Sequence, residues 1–268
     1  MKKKTEVKKV VTKPAMKKDT RVTAAFRKNV RNIDARATVT GGLTDIERLF
    51  FIASHPETSG KVLEELSSHP DIRVRRAVAS HSHTPFYVLE DLSTDEDSGV
   101  KYHLAENPNT PITTLDQLSN DTSYEVLYAV GRNRNTSRSA LRHLCMHQDE
   151  NVVIAACTNI NCSLETLVDL LNAGHYRVES SIASNPNITA DMTLMLSKSF
   201  NRCTRYNVMN SPHITEEILK ELSKDSIPAI ARAAQKKLAA IRASFKVIIT
   251  ETTEATGWWT AVKNWFNS

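Results

Sequence analysis

ASHPETSGKVLEELSSHPDIRVRRAV, residues 53–78, returns as AENPNTPITTLDQLSNDTSYEVLYAV at residues 105–130 and as ASNPNITADMTLMLSKSFNRCTRYNV at residues 183–208. Further copies begin at Ala79, Gly131, Thr158 and Met209. With the proline slot as zero, the anchors are Pro56, Ser82, Pro108, Arg134, Asn161, Pro186 and Pro212, spaced 26, 26, 26, 27, 25 and 26 residues. A period this steady is the signature of a solenoid, because a unit so short buries its apolar face only against the next copy.

The columns of the repeat say what each unit is made of. Thr58, Thr84, Thr110, Thr136, Ser163, Thr189 and Thr215 precede a Leu-rich segment, which predicts helix N-caps there, with Pro85 and Pro111 opening the helix. Leu63, Leu89, Leu115, Leu141 and Leu219, each followed three residues on by another Leu, put one apolar stripe on this first helix. Asp71, Asp97, Ser123, Asp149 and Asn201 predict the caps of a second helix, which buries Val74, Val100, Val126, Val152 and Ile230 and the apolar residue four positions later. The small residues Ala53, Ala79, Ala105, Gly131 and Ala183 follow, and then His55, His81, Asn107, Asn133 and Asn185, read as residues that tolerate unusual backbone angles at a helix exit. The unit is helix, tight turn, helix, tight turn.

Composition agrees with an all-α chain: 268 residues, 40% hydrophobic, with seven glycines. No apolar run approaches the roughly 18 residues that cross a bilayer, and no apolar segment follows the opening lysines, so a cytoplasmic protein is expected and a membrane partner is not. Charge is segregated: residues 1–36 hold thirteen Lys/Arg against three acids, residues 37–225 sixteen against twenty-five, and residues 226–268 six against two. A basic arm thus precedes an acidic body.

The order Asn/His-Pro-x-Thr-Pro, Leu-x-x-Leu, Asp, Val-Arg-x-x-Val-Ala covers residues 44–234 and is best kept over Ala53–Val130. It resembles the variant leucine-rich repeat family. The resemblance implies a right-handed superhelical solenoid, here of about seven two-helix repeats of about 26 residues, distantly similar to HEAT and armadillo arrays and used as an interaction scaffold. Some members of that family carry an iron–sulfur cluster on a cysteine-rich N-terminal segment; the first cysteine here is Cys145, so no cofactor is carried over.

The expected organisation is a basic, flexible arm over 1–36, a capping half-repeat over 37–52, the repeats over 53–234, an extension of the last helix over 235–249, and a linker with an amphipathic helix over 250–268. In that last segment Trp258, Trp259, Val262, Trp265 and Phe266 share one face and predict docking on the array or on a partner. His55, His69, His81 and His83 invite a metal reading, but His55 and His81 stand where asparagine stands elsewhere, so no metal is assigned. Cys145, Cys157, Cys162 and Cys203 lack paired C-x-x-C spacing and read as small buried side chains.

No Gly-rich phosphate loop, nucleophile elbow or H-E-x-x-H helix is present, and no catalytic residues are assigned. The leading expectation is a non-enzymatic scaffold for a protein partner, with Arg75, Lys101, Tyr124, Leu127 and Tyr128 as anchors on the second helices, joined by the five C-terminal residues above. The alternative is a sequence-nonspecific DNA- or RNA-binding module. Its contacts would be Lys2, Lys3, Lys4, Lys8, Lys9, Lys13, Lys17, Lys18, Arg21, Arg27, Lys28 and Arg31 in the arm, with Arg232, Lys236, Lys237 and Arg242 on the last helix. A third reading, a HEAT-like DNA-repair glycosylase, is weakened because all three tryptophans lie outside the repeats.

Overall fold

The computed structural model describes residues 44–175 and 177–256, with residues 244–256 as backbone alone. These residues form fifteen α-helices and no strand. They are α1 (Asp45–Ser54), α2 (Gly60–Leu66), α3 (Ile72–Ser80), α4 (Phe86–Leu92), α5 (Ser98–Glu106), α6 (Ile112–Leu118), α7 (Tyr124–Arg132), α8 (Arg138–Leu144), α9 (Glu150–Thr158), α10 (Leu164–Asn172), α11 (Glu179–Ile182), α12 (Ala190–Ser197), α13 (Arg202–Asn207), α14 (Glu216–Leu222) and α15 (Pro228–Thr256). The all-α solenoid read from the sequence is the fold observed.

Contacts divide the chain into two units, residues 1–88 and 89–268, with the boundary inside α4. In the first unit, α1 starts with a capping box: Thr44 Oγ1 accepts the Glu47 N–H at 3.3 Å while Glu47 Oε2 accepts the Thr44 N–H at 2.7 Å. Helix α1 packs on α2 and α3 around the buried residues Ile52, Val62, Leu63, Leu66, Val74 and Val78. In the second unit the second helices α5, α7, α9, α11, α13 and α15 stack in succession, with the first helices alongside. Their core is the predicted set: Leu115, Leu118, Leu141, Leu144, Leu219 and Leu222 from the first helices, and Val100, Val126, Val152 and Ile230 from the second. Gly131 shows how close that stack is. A Cβ there would lie 3.0 Å from the Ala155 Cβ and 3.1 Å from the Ala156 nitrogen, which is why the column admits only small side chains at this step.

The period is 26 throughout, and the slip to 27 and 25 is a misalignment. Asn159, not a neighbour of Asn161, continues the column His55, His81, Asn107, Asn133, Asn185, and the proline slot of that copy holds Ile160. What fixes the register is hydrogen bonding. Asn133 Nδ2 donates to the carbonyls of Ala105 at 2.7 Å and Asn107 at 2.9 Å. Asn159 repeats this on Gly131 and Asn133, and Asn185 on Cys157 and Asn159. Each Oδ1 in turn accepts the N–H two residues on, at Asn109, Asn135, Asn161 and Asn187.

A second rung runs beside the first. Asn135, Asn161 and Asn187 donate to carbonyls of the preceding copy, at Pro108 and Thr110, Arg134 and Thr136, and Ile160 and Cys162. The backbone at these exits is ordinary extended chain, φ −68° and ψ 131° at Asn133, and no described residue other than glycine has positive φ. The asparagines are there to satisfy the orphan carbonyls of helix ends, not to tolerate strain. In the first unit His81 takes the same part: Nε2 lies 2.9 Å from the His55 carbonyl and Nδ1 accepts the His83 N–H at 3.0 Å. Those partners select the neutral Nε2–H tautomer, one donor and one acceptor, as in a side-chain amide.

The threonine column also differs from expectation. Thr58, Thr84, Thr110 and Thr136 are buried, and each Oγ1 donates backwards to the carbonyl six residues earlier, at Ile52, Val78, Leu104 and Val130. They close the preceding helix instead of opening the next. Ser163, Thr189 and Thr215 are N-caps as expected, accepting the N–H groups of Thr166, Met192 and Ile218; they stand one residue past the buried column, as does Ser137, which accepts the Ala140 N–H. Caps of the second helices are as predicted at Asp71, Asp97, Asp149 and Asn201. Where that slot holds His175, no side chain caps the helix and α11 shrinks to four residues. Gly174, at φ +72°, turns the chain just before it. The last helix runs to Thr256, past the expected end at Ile249, since residues 250–256 contain neither Pro nor Gly.

Candidate functional site

The second helices expose a ridge at every fourth residue, one side chain above the next on the same helix face. On α7 the ridge is Tyr124, Tyr128 and Arg132; on α5 it is Ser98, Tyr102 and Glu106. Along α9, α13 and α15 the same positions hold Glu150, Ile154 and Thr158, then Arg202, Tyr206 and Asn210, then Pro228, Arg232 and Lys236. Tyr124 and Tyr206 keep 54% and 48% of their surface in solvent, far more than an aromatic side chain keeps in a core.

The centre of the ridge is organised by its own polar contacts. The Tyr102 hydroxyl donates to Glu106 Oε1 at 2.8 Å, and the His103 ring lies 5.4 Å from the Tyr102 ring in an edge-on arrangement. The Arg132 guanidinium lies 5.7 Å from the centre of the Tyr128 ring and donates to its hydroxyl at 3.4 Å. The hydrogen bond to Glu106 and partial burial hold the Tyr102 hydroxyl above its ordinary titration range, against the pull of Arg132. These contacts hold two aromatic faces on adjacent helices, an acid beside one and a cation beside the other. Ring faces beside an acid and a cation have the chemistry to stack on apolar side chains and to pair with charges.

The anchors expected from sequence divide accordingly. Tyr124 and Tyr128 stand on the ridge. Leu127 does not: it is a core residue, 3% exposed, because it lies one step round the helix and packs inward. Arg75 and Lys101 share Leu127's position in the repeat and serve as clamps. Arg75 donates to the carbonyls of His69 and Pro70 at 2.9 and 3.1 Å, and Lys101 pairs with Asp121 at 2.5 Å. Burial pushes Asp121 up, yet the hydrogen bonds from Lys101 and the Ser123 N–H bring it below the usual carboxylate range. Three copies after Lys101, Glu179 accepts the Ser199 hydroxyl, and in the next Arg205 grips Asp225 with Nε–Oδ2 at 2.6 Å and Nη2–Oδ1 at 3.0 Å. The ridge residues Tyr102, Glu106, Arg132 and Tyr206 were missed because the apolar-core position was stepped by one instead of the helix start by four.

Among the basic residues of the last helix, Arg232 and Lys236 are exposed on the ridge. Lys237 donates to the Met209 carbonyl, and Arg242 pairs with Glu216 at 2.8 Å. The twelve arm residues from Lys2 to Arg31, and Trp258, Trp259, Val262, Trp265 and Phe266, lie outside the described residues. Cys145, Cys157 and Cys162 are buried as expected; Cys203 is exposed. The described histidines, cysteines and acids nowhere gather three potential metal ligands, and no described helix is long and apolar enough to cross a membrane.

No protein-family model and no curated protein matches the sequence. Among solved structures, the chain is similar to a leucine-rich repeat variant with a novel repetitive structural motif, at 22% identity and a TM-score of 0.53, over 82% of this chain and 87% of the other. It also aligns with a computationally designed armadillo repeat protein made for modular peptide recognition, at 14% identity and a TM-score of 0.26, over 80% of this chain and 99% of the other. The first of these shows the fold: a helical repeat array.

Proposed function

We propose that the chain is a non-enzymatic scaffold that binds a protein partner through an extended segment laid across the second-helix ridge. The observation that carries this reading is the ordered cluster Tyr102, Glu106, Tyr128 and Arg132 on adjacent stacked helices. The neighbouring aromatic faces of Tyr102 and Tyr128 take apolar side chains of a segment running across α5 and α7, and Arg132 favours an acidic residue beside them. A peptide library selected on the immobilised full chain tests it. Tyr128→Ala is expected to weaken the selected peptides by about thirtyfold, the size of a hot-spot truncation of about 2 kcal/mol. Arg132→Glu should turn the preference from acidic towards basic peptides. Peptides that bind both variants as well as the original chain would place the site elsewhere.

A second reading rests on a different observation, the thirteen Lys/Arg against three acids in residues 1–36. Under it the arm engages DNA or RNA through phosphate contacts that are indifferent to sequence. Deleting residues 1–36 should then weaken binding to a short single- or double-stranded probe and flatten its salt dependence. Tyr128→Ala should leave that binding unchanged.

A further inference from the structure

The loop that joins each first helix to the second carries a polar or turn-forming residue at one fixed place: Pro70, Glu96, Thr122, Gln148, Gly174 and Ser226. The copy between the last two has Phe200 there, and its side chain is wholly exposed. Slack in the loop is not the cause. Arg205 Nη1 donates to the carbonyls of Ser199 at 2.8 Å and Phe200 at 3.1 Å, and its Nε and Nη2 grip Asp225 in the next copy. The Ser199 hydroxyl donates to Glu179 of α11 and accepts the Asn201 N–H at 3.1 Å. The loop is thus tied to the layer before and the layer after, and it holds a large apolar ring in water where the stack has no use for one.

Phe200 divides two clefts. On one side, where α11 is only four residues long, an apolar cleft of about 660 Å³ is walled by Leu171, Met195, Leu196 and Phe200 itself. On the other, a cleft of about 600 Å³ is walled by Lys198, Arg202 and the Arg205–Asp225 pair. A third, of about 290 Å³, continues from Arg202 and Ile227 to Tyr206 and Ile230. Charge decides what fits them. No acid stands between Asp191 and Glu216, in a body where acids outnumber cations. The two carboxylates at the clefts are engaged, Glu179 by the Ser199 hydroxyl and Asp225 by Arg205. Lys198 and Arg202 are exposed and pair with no carboxylate among the described residues.

We propose that this run of clefts is a second docking site, separate from the α5–α7 cluster, for an acidic extended segment of a partner protein. A large apolar side chain of the segment enters the cleft between Leu171, Met195 and Phe200, and its carboxylates pair with Lys198 and Arg202. The apolar anchor supplies most of the affinity, because it is the part that leaves water; the exposed ion pairs supply the choice of sign and the steering. The undescribed ends of this chain have the wrong charge for the site. Residues 1–43 carry thirteen Lys/Arg against three acids, and residues 257–268 contain no acid.

A displayed library of linear peptides, selected on the full chain carrying Tyr128→Ala and Arg132→Glu, tests this. That background silences the α5–α7 cluster, so the two sites succeed or fail separately. The recovered peptides are expected to carry net negative charge around a Leu, Ile, Phe or Trp. Synthetic copies should bind about tenfold or more weakly when Phe200→Ser is added, and likewise with Arg202→Glu, and should weaken as salt rises. Phe200 is wholly exposed, so Phe200→Ser should leave the urea midpoint unchanged and its effect is not one of unfolding. Recovery of no peptide, peptides without an acidic bias, or binding indifferent to Phe200→Ser would overturn the proposal. So would two results that give the site to another occupant: peptide affinity that rises about tenfold on deleting residues 1–43 or 257–268, or a dimer in sedimentation that Phe200→Ser dissociates.

Discussion

Asn159→Ala tests whether the asparagine ladder, more than the leucine stripe, sets how repeats join. The side chain is 6% exposed at the exit of α9. Its Nδ2 donates to Gly131 O at 2.7 Å and Asn133 O at 2.8 Å, and its Oδ1 accepts the Asn161 N–H at 2.9 Å. Alanine removes all three bonds. Asn133 O keeps the Thr136 N–H as a partner, so the main losses fall on the Gly131 carbonyl and the Asn161 N–H. Three bonds at about 1 kcal/mol each, with an added desolvation penalty of about 1–2 kcal/mol where a buried group is left alone, give a loss of about 3–5 kcal/mol.

The near-isosteric Asn159→Asp separates hydrogen bonding from packing. It keeps the acceptor to Asn161 but turns a carboxylate oxygen towards two carbonyls, so at neutral pH it should cost at least as much as alanine and recover in part in acid. Urea unfolding followed by circular dichroism measures both. In a linear array the weakened joint should also split the transition, because stability is carried by neighbour contacts. A loss below about 1 kcal/mol for alanine, or an aspartate variant as stable as the original at neutral pH, would refute the ladder's role.

Lys101→Ala should cost about 1–3 kcal/mol, because it strands the largely buried Asp121 carboxylate; a urea double-mutant cycle with Asp121→Ala should show the coupling. Thr204→Val should stabilise the chain by about 1 kcal/mol in urea unfolding, since the buried Thr204 Oγ1 has no hydrogen-bond partner and valine fills the equivalent position in Val100, Val126 and Val152. Arg205 holds Asp225 below the usual carboxylate range through its hydrogen bonds. That contribution is complete above the unfolded aspartate value of about 3.9 and disappears as pH falls through the lower folded value. Arg205→Gln should therefore reduce the difference in urea midpoint between neutral and acid solution.

The fold was legible because its causes are periodic. The Leu and Val columns at three- and four-residue spacing dictate two short helices with one apolar stripe each, and the period dictates stacking. What could not be read was which partner each polar column chose. Thr58 and its equivalents look like N-caps because a hydroxyl before a helix usually serves the helix that follows; burial sends these to the carbonyl behind. The asparagine column shows why a repeat must be aligned on its most constrained contact. Asn159 bonds to Gly131 and Asn133 and so fixes the period at 26, whereas aligning Ser163 with the threonines introduced a slip.

The same argument decides how much of the surface the sequence discloses. Positions one residue apart on a helix differ by about 100°, so Leu127 and Tyr128, adjacent in the chain, face the core and the ridge respectively. A one-step error turns two clamps, Arg75 and Lys101, into expected surface anchors, and hides Tyr102, Arg132 and Tyr206. Charge is a poor guide to exposure in such an array, because every layer needs its own inter-repeat tie and an ion pair supplies one as well as leucine or valine does. The residues left for recognition are those the stack has no use for. Under the proposed reading these are, on α5 and α7, the half-buried tyrosines of the ridge, whose polar partners Glu106 and Arg132 lie on the tyrosine's own helix.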